Sequence, residues 1–203
     1  MAERTQHYFD AAPTTPSRPS VVDLVLPDLQ LQLTTDRHTF SPGAIDPGTK
    51  LLLLEAPHPE RDGTGPLLDL GCGYGPIACA LGRRAPAATV WAVDVNERAR
   101  SLCRTNAQAA KLRNVEVVDP DAVPADIRFA GIWSNPPIRI GKPALHELLL
   151  RWLPRLAPGG RAWLVVHKHL GSDSLARWLD AEVGPTTRIG SRAGYRILEV
   201  QGP

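Results

Sequence analysis

Cysteine is scarce: the 203 residues contain three, Cys72, Cys79 and Cys103. An odd number without C-x-x-C spacing argues against both a disulfide framework and a zinc site, and leaves reduced thiols. No apolar run approaches the roughly 20 residues that cross a bilayer, and the opening Met1-Ala2-Glu3-Arg4-Thr5-Gln6-His7 has no apolar centre of a secretion signal. A cytoplasmic location without membrane association is expected. An excess of charge of one sign is also missing: the formal net charge is +2. The chain is therefore not a strongly basic nucleic-acid binder, and any RNA affinity must come from a local patch. No internal repeat is visible, and the length suits one domain with a sizeable core.

What is present is an alternation of apolar strands and helices. Residues 1 to about 20 are rich in Pro, Ser and Thr and read as an arm. Val21–Leu26 and Leu29–Leu33 alternate as two strands of a hairpin turning at Pro27-Asp28. Thr49 is expected to cap a helix carrying Leu51–Leu54, ended by Pro57 and Pro59. Beyond the loop at Arg61-Asp62-Gly63-Thr64-Gly65, strands and helices alternate as βαβ units require. Strands are expected at 67–70, 89–93, 115–118, 129–133, 161–166, 187–189 and 195–200, with helices at 76–84, 96–110, 144–156 and 172–180. The expectation is a doubly wound, mostly parallel seven-stranded α/β sheet over residues 61–203, with an N-terminal arm, β-hairpin and helix over residues 1–60 packed on it.

Two motifs carry the chemistry. Leu67-Leu68-Asp69-Leu70 runs into Gly71-Cys72-Gly73-Tyr74-Gly75, and Pro76 suits the first turn of a helix. Glycines let this turn be tight and let the backbone approach a ligand, whose anionic part the helix N-terminus favours. The next strand ends in Asp94, roughly 20 residues on, where a carboxylate can accept from both hydroxyls of a ribose. Asp94 also suits a capping role, for which Asn96 is the better candidate. An acid at Asp69, ahead of the glycines, suits an ammonium group better than a pyrophosphate. The second motif is Ser134-Asn135-Pro136-Pro137-Ile138. By itself it fits a strand-ending turn. Two prolines also stiffen the exit from the strand, so that the Asn135 side-chain oxygen and the Pro136 carbonyl could accept the two protons of one planar amine.

At these residues the sequence resembles the class I S-adenosylmethionine-dependent methyltransferases, and with Asn135-Pro136-Pro137 after the fourth strand, their amino-methylating branch. More narrowly it resembles the small methyltransferase domain of ribosomal RNA guanine-N2 methyltransferases. Phe40-Ser41, Asp46-Pro47-Gly48-Thr49, Asp94–Ala99, Gly141-Lys142 and Pro158-Gly159-Gly160 extend the likeness over most of the chain. The resemblance implies S-adenosyl-L-methionine as cofactor, held by Asp69, Gly71, Cys72, Gly73, Gly75, Asp94, Asn96, Asp121, Asn135 and Thr49, with Asp119 the alternative to Asp121 beside the adenine. It implies catalysis by Asn135, Pro136 and Pro137. Phe40, Ile138, Arg139 and Lys142 are the implied substrate contacts, and Phe40, Asp46 and Thr49 the positions that close over the methionine end and the target. Arg37 flanks the same pocket in sequence. Ile138 departs from the family, which often has an aromatic there, and lacks its stacking ring. The implied substrate is guanine N2 of ribosomal RNA; the alternatives are a protein glutamine, a small-molecule amine, or a catalytically silent assembly factor. The related bacterial enzymes often carry a second, degenerate domain copy, so a monomer or homodimer is expected. His167 and His169 have no acid or cysteine at ligand spacing, and no metal site is expected.

Overall fold

A computed structural model describes residues 18–36 and 43–202; Arg37 and Phe40 lie outside them. The chain enters through an antiparallel hairpin, β1 (Ser20–Val25) and β2 (Gln30–Thr35), paired from Ser20↔Thr35 to Val25↔Gln30. Its period of two sends Val22 and Leu24 inward on one strand and Leu31 and Leu33 on the other. These four join Leu81, Cys103 and Ala107 in one core. Helix α1 (Pro47–Glu55) follows, and its cap differs from the expected one. Asp46, not Thr49, is the N-cap: its Oδ1 accepts from the Thr49 N–H at 2.9 Å, with Pro47 in the first turn. Position N3 then leaves the Thr49 hydroxyl available for other work.

The remainder runs β3 (Leu67–Leu70), α2 (Pro76–Arg84), β4 (Val90–Val93), α3 (Glu97–Ala109), β5 (Val115–Val118), β6 (Phe129–Ser134), α4 (Lys142–Trp152), β7 (Leu156–His167), α5 (Ser172–Glu182), β8 (Thr186–Arg192) and β9 (Tyr195–Gln201). The sheet order is β5-β4-β3-β6-β7-β9-β8, with β9 antiparallel to both neighbours and the other pairings parallel. The expected seven-stranded, mostly parallel sheet with its added hairpin is what forms. Helix α4 starts at Lys142 rather than Ala144, because Pro143 is well suited to a first turn. Strand β7 starts at Leu156 rather than Arg161, since Leu156 already pairs with Phe129 across a bulge.

Both faces of the sheet are covered, so its central strands read as unbroken apolar runs; all four residues of β3 are buried. Alternation along each strand divides them between two cores. Trp133, Trp163 and Val165 face α1, α2 and the hairpin, whereas Ile132, Leu164 and Val166 face α4 and α5. The strand order reverses at β3, which lies between β4 and β6 although β4 and β5 precede β6 in the chain. A crevice forms where such a reversal occurs, outside the carboxyl ends of the strands. The glycine turn after β3 and the Asn-Pro-Pro elbow after β6 stand on its two sides. Ser134 locks the two strand ends together, its buried hydroxyl donating to the Leu70 carbonyl at 2.7 Å. Among the described residues no helix is long and apolar enough to cross a membrane.

Candidate active site

The glycine turn is held from below and from outside. Gly71 and Cys72 both donate to the Val93 carbonyl at 2.9 Å, and the Gly75 N–H donates to the Cys72 carbonyl at 2.9 Å. Gly75 is the residue before α2, with φ of +93°, and a Cβ there would lie 2.5 Å from Cys103 Sγ. Gly71 also has positive φ, +78°, but a Cβ there would meet nothing within 4 Å. One glycine answers to packing, and the other keeps space open. From outside, Asn106 on α3 donates to the Tyr74 and Thr34 carbonyls and accepts from Thr34 N–H, each at 2.8 Å. The hairpin thereby braces the turn.

Asp69 lies beneath the turn, fully buried. Its Oδ2 accepts from Ala78 N–H in α2 at 2.8 Å, while its Oδ1 has no hydrogen-bond partner among the described residues. Burial, with a smaller contribution from the nearby Asp94 charge, pushes the Asp69 carboxyl up to about 8. At neutral pH it is largely a neutral acid. Cys72, Cys79 and Cys103 are buried free thiols. Contact with Cys103 and burial push the Cys72 thiol up, so it is not a nucleophile.

Asp94 follows β4 directly, and its carboxylate binds the turn. Oδ2 accepts from Gly73 N–H and Oδ1 from Asn96 N–H, both at 2.9 Å. Burial pushes its carboxyl up, against the pull of these two amides and of Arg100. Two of its roughly four acceptor positions remain. Asn96 caps α3 through Ala99 N–H at 3.1 Å. Arg100, which the sequence did not single out, is nearly buried; it donates to the Asp94 carbonyl and pairs with Asp119 at 3.0 Å. It thus ties the end of β4 to the loop after β5. In that loop the Asp121 carboxylate is exposed and turns to Arg151 at 2.7 Å, leaving Pro120 on the cleft wall.

Asn135 completes the arrangement. Its Nδ2 donates to Asp46 Oδ1 at 2.8 Å and to Thr49 Oγ1 at 3.0 Å, and no described residue bonds its Oδ1. The Pro136 carbonyl accepts from Ile138 N–H at 2.8 Å, with Pro137 at φ −74° and ψ 69°, the inverse γ-turn geometry. One lone pair of that carbonyl is thereby engaged and one remains. Ile138 packs against the α4-side core, and Arg139 is exposed on the short turn before α4. Lys142, at the first position of α4, is exposed too.

Between turn and elbow lies an open cleft of about 880 Å³, counting the solvent at its mouth. Of the residues chosen from sequence, Gly71, Cys72, Gly73, Asp94, Asn96, Asn135, Pro137 and Thr49 line it; Asp69, Gly75, Asp121, Pro136, Ile138, Arg139 and Lys142 do not. The sequence reading missed the apolar wall formed by Tyr74, Ile77, Val95, Pro120, Leu148 and Trp152. Nothing in the local pattern separates such residues from ordinary core. A mostly apolar lining with a few polar groups, Thr49, Asp94, Asn96 and Asn135, is the usual build of a small-molecule site.

The family described as Methyltransferase small domain matches residues 30–199. The chain belongs to this family. These methyltransferases use S-adenosyl-L-methionine as methyl donor. The chain is 31% identical over 200 residues to the protein named Uncharacterized protein YbxB of Bacillus subtilis (strain 168), covering 97% of this chain and 98% of that one. It is 34% identical over 183 residues to Ribosomal RNA small subunit methyltransferase C of Pseudomonas aeruginosa (strain LESB58), covering 88% of this chain and 53% of the other. The chain thus spans about half the length of that ribosomal enzyme. Among solved structures it superposes on the 16S rRNA N2 methyltransferase RsmC of T. thermophilus, in complex with AdoMet and guanosine, with a TM-score of 0.79. That likeness, at 24% identity over 94% of this chain and 52% of the other, establishes the fold.

Proposed function

We propose that this methyltransferase transfers a methyl group from S-adenosyl-L-methionine to an exocyclic amine, and that its substrate is guanine N2 of ribosomal RNA in the cytoplasm. The observation that carries the reading is the Asn135 amide: both partners of its nitrogen lie within the protein, and its oxygen is left as an acceptor at the cleft. Such an oxygen matches an N–H donor.

The residues fit the cofactor. A Cβ at Gly71 would project into open space that a ligand can use. Asp94 keeps acceptor positions for a ribose diol, and the wall at Pro120, Leu148 and Trp152 offers apolar surface for a base. When bound, S-adenosyl-L-methionine supplies a methyl group already activated on a sulfonium. The chain's own task is then placement and charge. Asn135 Oδ1 accepts one N–H of the amine, and the remaining lone pair of the Pro136 carbonyl is the candidate acceptor for the other. Acceptors fixed at the amine favour the positive charge that grows on nitrogen during attack. Holding the nitrogen in line supplies much of the remaining acceleration, without a strong base. The name of the Pseudomonas relative supports ribosomal RNA as substrate, and Arg139 and Lys142, exposed beside the elbow, suit phosphate contact.

The test is tritium transfer from labelled S-adenosyl-L-methionine to small ribosomal subunits, total transfer RNA and a glutamine-containing protein extract. Label recovered as N2-methylguanosine from ribosomal RNA supports the proposal. Label confined to protein reverses the substrate, and no label in any fraction rejects ribosomal RNA as the substrate.

A further inference from the structure

An asparagine amide has nearly the same shape in its two flipped orientations but opposite chemistry. With oxygen toward the cleft, Asn135 accepts hydrogen bonds and selects an amine. With nitrogen toward the cleft it would donate and select a carbonyl or a ring nitrogen. The groups behind the amide decide between these states, and they are not equivalent. Thr49 Oγ1, 3.0 Å from Nδ2, is a hydroxyl that can accept or donate and tolerates either orientation. Asp46 Oδ1, 2.8 Å from Nδ2, is a carboxylate oxygen that only accepts. Flipping Asn135 would set an amide oxygen against a carboxylate oxygen at hydrogen-bond distance.

We infer that Asp46 is a positioning residue that holds the Asn135 amide with its oxygen toward the cleft, and so makes this an acceptor site specific for amines. Asp46 is itself pinned, because the same Oδ1 caps α1 by accepting from Thr49 N–H at 2.9 Å. The turn carrying it is seated by Gly48, where a Cβ would come within 2.7 Å of the Tyr195 ring on β9. Tyr195 in turn packs perpendicular to the His167 ring, centroids 4.8 Å apart. The orientation of one amide at the end of β6 is thus set by residues 89 positions earlier in the chain. The acceptor role of Asn135 rests on the proposed function; the orientation does not.

The experiment compares the wild type with Asp46→Ala and Asp46→Asn by two readouts: hydrogen exchange of the Asn135 side-chain NH2 followed by NMR, and kcat and KM for methyl transfer to small ribosomal subunits. An Asn at 46 still caps α1 and must then turn its own oxygen to both N–H groups, so it preserves the orientation. Expected are protected NH2 protons in the wild type and in Asp46→Asn, and exchange at least about tenfold faster in Asp46→Ala. With this goes a kcat at least about tenfold lower in Asp46→Ala, the cofactor KM within about threefold, and recovery of kcat in Asp46→Asn. Wild-type NH2 protons that exchange like those of exposed asparagines overturn the inference, even if Asp46→Ala fails to fold. So does an Asp46→Ala enzyme with undiminished kcat. Protected wild-type protons without methyl transfer to any substrate fraction uphold the orientation and defeat the proposed function instead.

Discussion

Gly71 and Gly75 sit in one turn with positive φ, yet alanine should fail at each for a different reason. At Gly75 the added Cβ lies 2.5 Å from Cys103 Sγ, and φ is +93°. The left-handed backbone costs about 1–2 kcal/mol for a non-glycine residue, and overpacking costs about 1–3 kcal/mol more. A total of about 2–5 kcal/mol lowers Tm by about 4–20 °C in a domain of this size. At Gly71 the Cβ meets no protein atom within 4 Å, so only the backbone contribution applies. The drop there should be about 2–8 °C. The Gly71 methyl instead projects into open space at the cleft, which the proposed function fills with cofactor, so binding should weaken at least about tenfold, a change of about 1.4 kcal/mol. The Gly75 variant, measured well below its Tm, should bind within about threefold of wild type. Adding Cys103→Ala to Gly75→Ala removes the clashing sulfur and should recover about 1 kcal/mol or more of the overpacking. Thermal unfolding and calorimetric titration with S-adenosyl-L-methionine supply both quantities. If Gly71→Ala destabilises as much as Gly75→Ala and leaves cofactor binding untouched, the division of labour in the turn is wrong.

Replacing Asn135 by Ala removes the acceptor while leaving the glycine turn intact; kcat should fall by about 100-fold or more with cofactor affinity nearly unchanged, as single-turnover and titration measurements would reveal. Asp94→Ala strips the acceptor from the Gly73 and Asn96 amides. It should therefore weaken cofactor binding at least about tenfold and also lower Tm; unaltered binding would contradict the ribose assignment. Asp69 makes stability depend on pH. Its carboxyl is raised to about 8 in the folded protein from an ordinary 3.8, so the folded state holds a proton that the unfolded chain has lost. Its contribution is complete below about pH 4 and disappears as pH rises through about 8. Asp69→Asn keeps an oxygen for Ala78 N–H and cannot titrate, so in urea unfolding at pH 5 and pH 7.5 it should show a smaller loss than wild type, by about 1–3 kcal/mol. Equal losses in the two proteins would show that Asp69 does not titrate in this window.

Much of the fold was legible because its signals are local. Strand β3 is a short apolar run, Pro76 and Asn96 begin helices, and the turn needs glycine; each depends on a few neighbouring residues. The misjudged details were competitions between near-equal local options. Thr49 and Asp46 are both good caps three positions apart, and the hydrogen bond from Thr49 N–H went to Asp46. Asp119 and Asp121 could each have faced the cleft, but Arg100 draws the first and Arg151 the second. No spacing rule foresees which arginine arrives.

The glycine turn, the acid after β4 and the Asn-Pro-Pro elbow are legible in the sequence by itself, since each is a short local pattern of residue types, although the backbone groups of the turn are satisfied from outside it by Val93, Asp94 and Asn106. Their convergence on one cleft, and the chemical sense of that cleft, came only with tertiary structure. The strand order brings the end of β6 beside the end of β3. A carboxylate from the cap of α1 reaches Asn135 across 89 residues and engages its amide nitrogen, leaving the amide oxygen as the free acceptor. Likewise the burial that keeps Asp69 protonated belongs to no local pattern, because the energy of a charge depends on what the rest of the molecule packs around it.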